Sequence, residues 1–293
     1  MTDRWGSTEN IRPMTREEAR TLQQWVVGEW WDEGLEDADV LYDIDPDGFW
    51  AVLDEGGQVV GGLSTIAPDE HFGSVSHLYL SADARGRGIW RRALEDLFAL
   101  LGHRLRDGMT VTIFMMPEAV ETTRKFGFEP VHDEIRMVRA PGDVPPAPQD
   151  AGVMDARDLL ESEVVAFDAA RTGRSRPVLW QRWLRMADSA TCAVVDDGRI
   201  VGLGTMRPSA RGHRIGPLFA TEPDVAERLL RRLLPAAEGT RIAVDVPASN
   251  PAAVALLSAL GFVEEFRTVR MAWGKLPAMP WQECYATVML HLD

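Results

Sequence analysis

The chain has only two cysteines, Cys192 and Cys284, in its 293 residues. Two thiols are too few for a disulfide framework or a metal cluster, so we expect reduced cysteines and no metal. No apolar run approaches the roughly 20 residues that a membrane-spanning helix needs. The first residues also lack a basic segment followed by an apolar core, so we do not expect secretion. These absences predict a cytoplasmic protein that has no membrane partner.

Basic residues are also few, because 31 Lys and Arg stand against 45 Asp and Glu and give a net charge of −14. Nucleic-acid binding needs basic stripes, so we do not expect nucleic acid as a partner. The acidic balance favours a basic small molecule or peptide as the substrate. With 45% hydrophobic residues the composition is that of a globular protein, and the length predicts two domains. The sequence does not indicate an oligomeric state.

One stretch carries positive charge in this acidic chain. Residues 75–80 alternate as a strand does, and they are followed by a turn containing Gly86 and Gly88 and then by a predicted helix. Glycines allow a positive φ and a close approach to the backbone, and the first N–H groups of a helix bind anions. Four arginines surround this point: Arg85, Arg87, Arg91 and Arg92. The stretch therefore predicts a site for a polyanion.

The order strand, Arg-x-x-Gly-x, helix resembles the acyl-CoA pyrophosphate loop of the GNAT superfamily of N-acetyltransferases. Arg85 and Gly88 match the family pattern Arg/Gln-x-x-Gly-x-Gly/Ala, whereas Trp90 stands at the third small position. The resemblance implies an α/β fold with a mixed sheet and acetyl-CoA as the co-substrate. It implies that CoA contacts Leu78, Tyr79, Leu80, Arg85, Gly86, Arg87, Gly88, Ile89, Trp90 and Arg91.

The second part of the chain repeats the first in outline. A hairpin pattern at residues 49–63 returns at residues 191–204, and each copy later has Gly-Phe followed by Arg-Met nine positions after the glycine. The matched positions are Gly127 with Gly261 and Arg136 with Arg270. Such internal symmetry predicts a duplicated domain. Prolines at 141, 145, 146 and 148 predict an extended linker between the copies.

The copies differ at the arginine-glycine turn. The distance from the hairpin glycine to Gly-Phe is 66 residues in the first copy and 59 in the second, where a strand at 214–219 runs directly into a helix near Pro223. Glu222 and Asp224 stand where the first copy has arginines, and carboxylates there would repel a pyrophosphate. The whole pattern resembles tandem-GNAT proteins with a degenerate second domain. We predict a GNAT acetyltransferase domain over residues 1–140, a Pro-rich linker over 141–152 and a degenerate GNAT-like domain over 153–293.

The resemblance implies direct attack of an acceptor amine on the thioester in a ternary complex. In it, backbone groups at Leu78 and Leu80 would hold the pantetheine arm, and an N–H near Leu80 would stabilise the oxyanion. The family often has an Asn at the strand-to-helix turn and a Tyr general acid: the first copy has Met116 and Thr123 at these two positions, and the second has Asn250 and Leu257. We therefore keep an alternative, a non-catalytic acyl-CoA-binding or regulatory protein with the GNAT fold.

Candidate bases lie on or beside the central strand. Glu70 and His77 are the predicted catalytic residues, because a carboxylate attracts and deprotonates an ammonium and histidine titrates near neutrality. A packed, non-catalytic His77 is the competing interpretation. An acidic cluster at Asp32, Glu33, Glu36, Asp37 and Asp39 predicts either an acceptor funnel or a solvated face. Trp30 and Trp31 predict either core packing or stacking on a substrate.

Two further elements are predicted from local pattern. Thr15 and Glu18 predict a capping box at the start of a helix that directs Leu22, Trp25, Val26 and Trp30 toward a core and ends at Gly34. Residues 285–292 predict a final strand that completes a sheet or covers the acceptor cleft.

Overall fold

The computed structural model describes residues 8–29, 31–106, 108–144, 150, 152–290 and 292. Its elements in chain order are β1 (Ile11–Pro13), α1 (Arg16–Gly28), α2 (Asp37–Ile44), β2 (Phe49–Leu53), β3 (Val59–Ile66), β4 (Phe72–Leu80), α3 (Ile89–Arg106), β5 (Thr110–Met115), α4 (Val120–Arg124), β6 (Glu129–Arg139), β7 (Val153–Asp155), α5 (Glu161–Thr172), α6 (Pro177–Trp183), β8 (Ala190–Asp196), β9 (Arg199–Ser209), β10 (Gly212–Ala220), α7 (Pro223–Leu233), β11 (Ile242–Pro247), α8 (Pro251–Ala259), β12 (Val263–Trp273) and β13 (Cys284–Ala286). We call residues 8–144 the first half and residues 150–292 the second half. Within the described residues, no helix has both the length and the apolar character needed to cross a bilayer.

Local sequence signals account for the first helix. Thr15 caps α1 by accepting from the Glu18 N–H, and the Glu18 side chain accepts from the Thr15 N–H, which confirms the predicted capping box. The helix buries Leu22 and Val26 against the sheet. It ends at Gly28, so the prediction that it extends to Gly34 is wrong. Trp30 lies outside the described residues.

The two predicted hairpins and the direct passage from strand to helix in the second half are confirmed. The hairpins are β2–β3 and β8–β9, both antiparallel. In the second half only Thr221 and Glu222 separate β10 from α7. In the first half residues 81–88 lie between β4 and α3, and they contain the arginine-glycine turn. The two halves therefore share a strand plan and differ at this connection.

The halves exchange their last long strands. The sheet order is β1-β2-β3-β4-β5-β12-β6-β11-β10-β9-β8-β7. Strand β12 of the second half pairs with β5, and β6 of the first half pairs with β11, both antiparallel. The exchanged strands β6 and β12 also pair with each other along their length. Each half thus completes the sheet of the other.

Three apolar clusters hold the layers together. One lies between α3 and the first half's sheet and includes Val75, Leu97 and Phe128. A second packs α7 and α8 on the second half's sheet. The third joins the halves, because Val26 and Phe49 of the first half share it with Trp180 and Trp183 of the second. The same cluster contains Val288, Met289 and Leu292, so the end of the chain packs against the first half.

Parallel strands diverge in both halves, and the two gaps differ. Strands β4 and β5 pair from Phe72–Thr110 to Val75–Ile113, after which residues 76–80 of β4 continue without β5. Strands β10 and β11 likewise pair only as far as Ile215–Val244. There β13 pairs with β10 at Leu218 and Phe219. The corresponding space beside β10 is therefore filled by the chain's own C-terminal segment.

The C-terminal segment fits this gap because the residues around it leave room and supply hydrogen bonds. A Cβ at Gly216 would lie 2.3 Å from the Thr287 carbonyl oxygen, so only glycine admits the segment. The Asn250 amide donates to the carbonyls of Gln282 and Cys284 at 3.0 and 2.9 Å. The predicted final strand over residues 285–292 is regular only over Cys284–Ala286. The side chains beyond it lie mainly in the apolar cluster between the halves.

Candidate active site

An open groove of about 370 Å³ lies where β4 leaves β5. One wall is the end of β4 with the turn that follows it, and the opposite wall is the end of α1 with Trp31. The lining residues are Val26, Glu29, Trp31, Leu78, Tyr79, Leu80, Arg85, Gly86 and Trp90. Six of the ten residues that the sequence predicts for CoA contact line this groove: Leu78, Tyr79, Leu80, Arg85, Gly86 and Trp90.

The turn after β4 presents backbone to this groove. Gly86 and Gly88 have φ values of 76° and 73°, which side chains other than glycine rarely adopt. Helix α3 begins at Ile89, whose side chain is buried, so the helix N-terminus is fixed to the core. The first N–H groups of α3 have no partner within the helix and lie beside the turn. The arrangement is suited to an anion with several oxygens.

The arginines around the turn differ in their partners. Arg85, Arg91 and Arg92 lie 2.6, 3.5 and 3.6 Å from Glu29, Glu95 and Glu55 respectively. Arg87 is exposed and forms no ion pair with any described residue. Exposed pairs of this kind are weak and exchange readily for another anion. The turn therefore offers cationic groups that an incoming polyanion can engage.

Arg85 joins the two walls of the groove. Its Nε donates to the Leu80 carbonyl at 2.9 Å, and its terminal nitrogen donates to Glu29 at 2.6 Å. Sequence reasoning missed Glu29, although a signal exists: it follows the C-terminal end of α1, where the helix dipole disfavours a negative charge. The nearby guanidinium offsets that cost. Val26 was predicted as core and also lines the groove.

Aromatic rings form much of the groove surface. Tyr79 stacks on Trp25 with ring centroids 5.4 Å apart and planes at 26°, so its ring is held from one side. Trp31 and Trp90 line the same groove, and both are half-buried. Trp90 also packs against the apolar cluster under α3. Trp31 packs against the core, as one interpretation predicts, and it also lines the groove, so stacking on a substrate stays a prediction.

His77 lies at an irregularity of β4. The pairing with β3 shifts by one residue between Ser76 and Tyr79, so β4 carries an extra residue there. His77 has a φ of 51°, which is rare outside glycine, and its side chain is fully buried. Its Nδ1 lies 2.8 Å from the Ser64 hydroxyl, and its Nε2 lies 3.1 Å from the Glu33 carboxylate. These contacts hold the bulge that turns Leu78 and Tyr79 toward the groove.

Glu70 lies apart from the groove. It is exposed in the turn before β4, whereas the groove is at the other end of that strand. At about 3.3 Å per residue, the intervening strand separates the two by more than 20 Å. The structure thus does not bring Glu70 and His77 together, and Glu70 lies too far from the groove to act on a substrate there. Arg87, Gly88, Ile89 and Arg91 belong to the turn or the start of α3 but do not line the groove itself.

Three residues of the acidic cluster, Asp32, Glu33 and Asp37, are buried, whereas Glu36 and Asp39 are partly exposed. Asp37 accepts two hydrogen bonds from Arg207, both at 2.9 Å, and the two side chains are 1% and 0% exposed. Asp32 forms an ion pair with Arg241, and its backbone carbonyl accepts from Arg214. We call Asp32, Asp37, Arg207, Arg214 and Arg241 the ion-pair ladder. Both earlier interpretations of Asp32 and Asp37, a funnel and a solvated face, are wrong because arginines of the second half enclose them.

The arginines of the ladder lower the pKa of the buried Asp37 carboxyl. Burial alone would raise the pKa of Asp37, but the charge and hydrogen bonds of Arg207, with help from Arg214, hold it below its ordinary value. Asp245 beside the ladder behaves likewise: burial opposes ionisation, yet Arg136 and Arg214 lower its pKa to about 2. These carboxyls are therefore charged at neutral pH and engaged by arginines. Within the described part of the chain, no three His, Cys, Asp or Glu side chains are placed to hold a metal.

Comparisons with known proteins agree with this geometry. Residues 13–128 match the Acetyltransferase (GNAT) family, and residues 164–286 match an Acetyltransferase (GNAT) domain. The holothin acyltransferase of Pseudoalteromonas sp. (strain SANK 73390) is 28% identical over 284 residues, which cover 96% of this chain and 93% of that protein.

Solved structures share the whole fold. A candidate acetyltransferase from Pyrococcus horikoshii matches with a TM-score of 0.79 at 18% identity, over 97% of this chain and 95% of that one. A tandem GNAT protein from the clavulanic acid biosynthesis pathway matches with a TM-score of 0.61 at 16% identity, over 92% and 99%. The two family matches fall on the two halves and together span most of the chain. The chain therefore belongs to the GNAT family of acyltransferases, with two GNAT domains in tandem.

Proposed function

We propose that the first half transfers an acetyl group from acetyl-CoA to an amine, and that the second half is a structural partner without a donor site. The observation that carries the proposal is the difference between the two spaces where parallel strands diverge, one beside β4 and one beside β10. The gap beside β4 is an open groove ending at the arginine-glycine turn, whereas the gap beside β10 contains β13. The proposed domain limits remain 1–140 and 153–293, with β6 and β12 exchanged across the boundary.

The proposed donor lies along β4 as an added strand would. Backbone groups of residues 78–80, which have no β5 partner, hydrogen-bond the pantetheine amides. The pyrophosphate binds the N–H groups of the turn and the start of α3, with Arg87 and Arg85 supplying positive charge. Arg85 would exchange its contact with Glu29 for one with a phosphate oxygen. Donor binding would therefore also break the link between Arg85 and the end of α1.

The proposed reaction is a direct acyl transfer. The amine nitrogen attacks the thioester carbonyl carbon, the C–N bond forms, and the C–S bond breaks with its electron pair on sulfur. A backbone N–H of β4 near Leu80 stabilises the oxyanion. The nitrogen releases its proton to the CoA thiolate, directly or through water, which leaves an amide and free CoA. Thr123 donates to the Ala119 carbonyl at 2.9 Å and supplies no acid to this step.

We propose His77 as a positioning residue. It has no exposed surface in this conformation, so it does not touch an amine in the groove. Its bonds to Ser64 and Glu33 instead fix the bulge from which Leu78 and Tyr79 face the groove. The holothin acyltransferase relative supports acyl transfer as the activity class and leaves the acyl chain of the donor to be tested.

A thiol-release assay tests the proposal. The full chain is incubated with acetyl-CoA and a panel of amines, free CoA is measured, and the acylated product is weighed by mass spectrometry. Propionyl-CoA and hexanoyl-CoA test the donor in parallel. Release that depends on an amine and yields its amide supports the enzyme. Donor binding without turnover on any amine would support the alternative, a non-catalytic acyl-CoA-binding protein.

Arg87→Glu is expected to weaken acetyl-CoA binding by about 30-fold or more. The change removes one charge-assisted contact to the pyrophosphate and adds a repulsive carboxylate, and such contacts contribute about 1.5–3 kcal/mol each. Isothermal titration calorimetry measures both the affinity and the number of sites, which should be one per chain. Arg199→Glu, an equally exposed reversal in the second half, is the matched control. Two equivalent sites, or an unchanged affinity in Arg87→Glu, contradict the prediction.

Trp90→Ala is expected to weaken acetyl-CoA binding by about 1 kcal/mol, because the ring lines the groove beside Gly86 and can stack on part of the cofactor. The groove is open with this ring in place, which favours a supporting role over obstruction. Trp90→Phe should retain most of the affinity and is the control. If Trp90→Ala binds more tightly than the unmodified chain, the indole obstructs the site.

A further inference from the structure

We infer that the acceptor is a flat amine that is uncharged at neutral pH, an aromatic or heteroaromatic amine, rather than an alkylammonium such as a lysine side chain or a polyamine. The inference rests on the proposed function and names the acceptor class for the same groove. It reverses the expectation of a basic acceptor that the net charge of −14 suggested.

The first step concerns the charge of the groove. Among the described lining residues, Glu29 is the one carboxylate, and it is paired with Arg85 at 2.6 Å. An alkylammonium would have to give up its hydration for a surface whose formal charges cancel, and a buried charge without a partner is costly. When donor phosphates engage Arg85, Glu29 still lies at the rim, exposed to solvent. The groove thus lacks the buried negative charge that selects a cation.

The second step concerns the neighbouring carboxylates. Asp32, Glu33 and Asp37 follow directly from the α1 wall, and they are 0%, 4% and 1% exposed. The ion-pair ladder engages the two aspartates, and Glu33 faces His77 at 3.1 Å. The acidic character of this segment is therefore used to join the halves. It does not extend into the groove as a binding surface for a cationic amine.

The third step concerns shape. Trp31, Tyr79 and Trp90 contribute three aromatic rings to one groove, and Trp25 stacks behind Tyr79 and holds its orientation. Fixed rings recognise a flat partner by offset stacking. With the donor along the β4 backbone, the ring of Trp31 on the α1 wall and the ring of Tyr79, which stacks on Trp25 of α1, remain for the acceptor. Val26 adds an apolar floor between them.

The fourth step concerns proton transfer. An alkylammonium must lose a proton before its nitrogen can attack, and this requires a base that reaches the groove. His77 and Glu33 are buried, and neither lines the groove; Glu29 does line it, but it lies at the solvent-exposed rim beside Arg85. An aromatic amine already has its lone pair at neutral pH, so it attacks as the free base. Its N–H proton is released only after the C–N bond forms, and the departing thiolate or water accepts it.

Paired amines that share one ring test the inference. The full chain with acetyl-CoA is assayed against 4-methylaniline and 4-methylbenzylamine, and against lysine ethyl ester as a non-aromatic amine. We expect kcat/KM for 4-methylaniline to exceed that for 4-methylbenzylamine at least tenfold at pH 7.5, with still lower turnover of the lysine ester. A preference for either alkylamine overturns the inference while leaving the acyltransferase proposal intact. Turnover of other amines of the panel but of none of these three overturns the inference alone, whereas no turnover of any amine, with acetyl-CoA bound, overturns both.

A variant pair tests the contribution of the ring. Trp31→Leu keeps an apolar side chain without a flat face, and Trp31→Phe keeps a ring. We expect Trp31→Leu to lower the ratio of kcat/KM for 4-methylaniline to that for the non-aromatic lysine ethyl ester about fivefold, and Trp31→Phe to restore most of it. A general loss of structure would lower both rates together and leave the ratio unchanged. An unchanged ratio in correctly folded Trp31→Leu contradicts the role of stacking.

Discussion

Residues 1–142 expressed alone are expected not to fold into a native domain. In the full chain β6 pairs on one side with β11 and on the other with β12, and both partners are in the second half. The fragment also removes β12 from β5. Two long strands would be left with exposed edges, and such edges aggregate. Gel filtration and a thermal melt followed by circular dichroism should show aggregates and no cooperative transition.

Supplying the missing strands is the control for this experiment. Co-expression with residues 150–293 returns both partners to β6 and should yield a soluble complex of the two pieces. Cleavage of the folded full chain at a protease site placed in the Pro-rich segment should likewise leave the pieces associated. A fragment 1–142 that is monomeric and melts cooperatively would contradict the exchanged pairing.

Arg207→Met is expected to lower the free energy of unfolding by about 3–5 kcal/mol, because it leaves the Asp37 carboxylate buried without its guanidinium. Arg207 also donates to the carbonyls of Gly216 and Val288 at 2.9 and 3.3 Å, so the change loosens the C-terminal segment too. Urea unfolding followed by tryptophan fluorescence gives the magnitude. The double variant Asp37→Leu with Arg207→Met removes the unpaired charge and should recover part of the loss.

A surface ion pair provides the matched control. Arg20 pairs with Asp39 at 2.8 Å, but its side chain is 55% exposed, so Arg20→Met should lower the free energy of unfolding far less than Arg207→Met does. If Arg20→Met and Arg207→Met lower the free energy of unfolding by comparable amounts, burial does not determine the strength of these ion pairs.

The pH dependence of stability gives a second check. Because the folded-state pKa of Asp37 is lowered, its contribution is present at neutral pH and disappears as the pH falls below about 4. The difference in the free energy of unfolding between Arg207→Met and the unmodified chain should therefore become smaller in acid.

Local signals in the sequence were sufficient for several elements and for the glycine turn after β4. The Thr15 capping box, the two hairpins and the glycines at 86 and 88 act through their own neighbours, so pattern and spacing reveal them. The aromatic-rich groove was partly visible in Trp31. The duplicated plan was also readable, because both copies bury the same alternating positions.

The long-range features were not readable from the sequence. An alternating strand such as β6 has the same pattern whether it pairs with its own half or with the other, so the exchange carries no local signal. Asp32 and Asp37 resembled a solvated run because their partners, Arg241 and Arg207, are about 170 to 210 residues away. The positive φ of His77 depends on the register between β3 and β4, and no single residue type predicts that register.

The unequal gaps beside β4 and β10 imply unequal stability within one chain. Beside β10, β13 is covalently attached, so the sheet there is complete at any ligand concentration. Beside β4, residues 76–80 lack a strand on one side until a donor lies there. With acyl-CoA as that donor at 100 times its dissociation constant, mass action adds about 2.7 kcal/mol to the folded state. Amide hydrogens of β4 should therefore exchange more slowly as donor is added, while those of β10 exchange at a rate set by the chain alone.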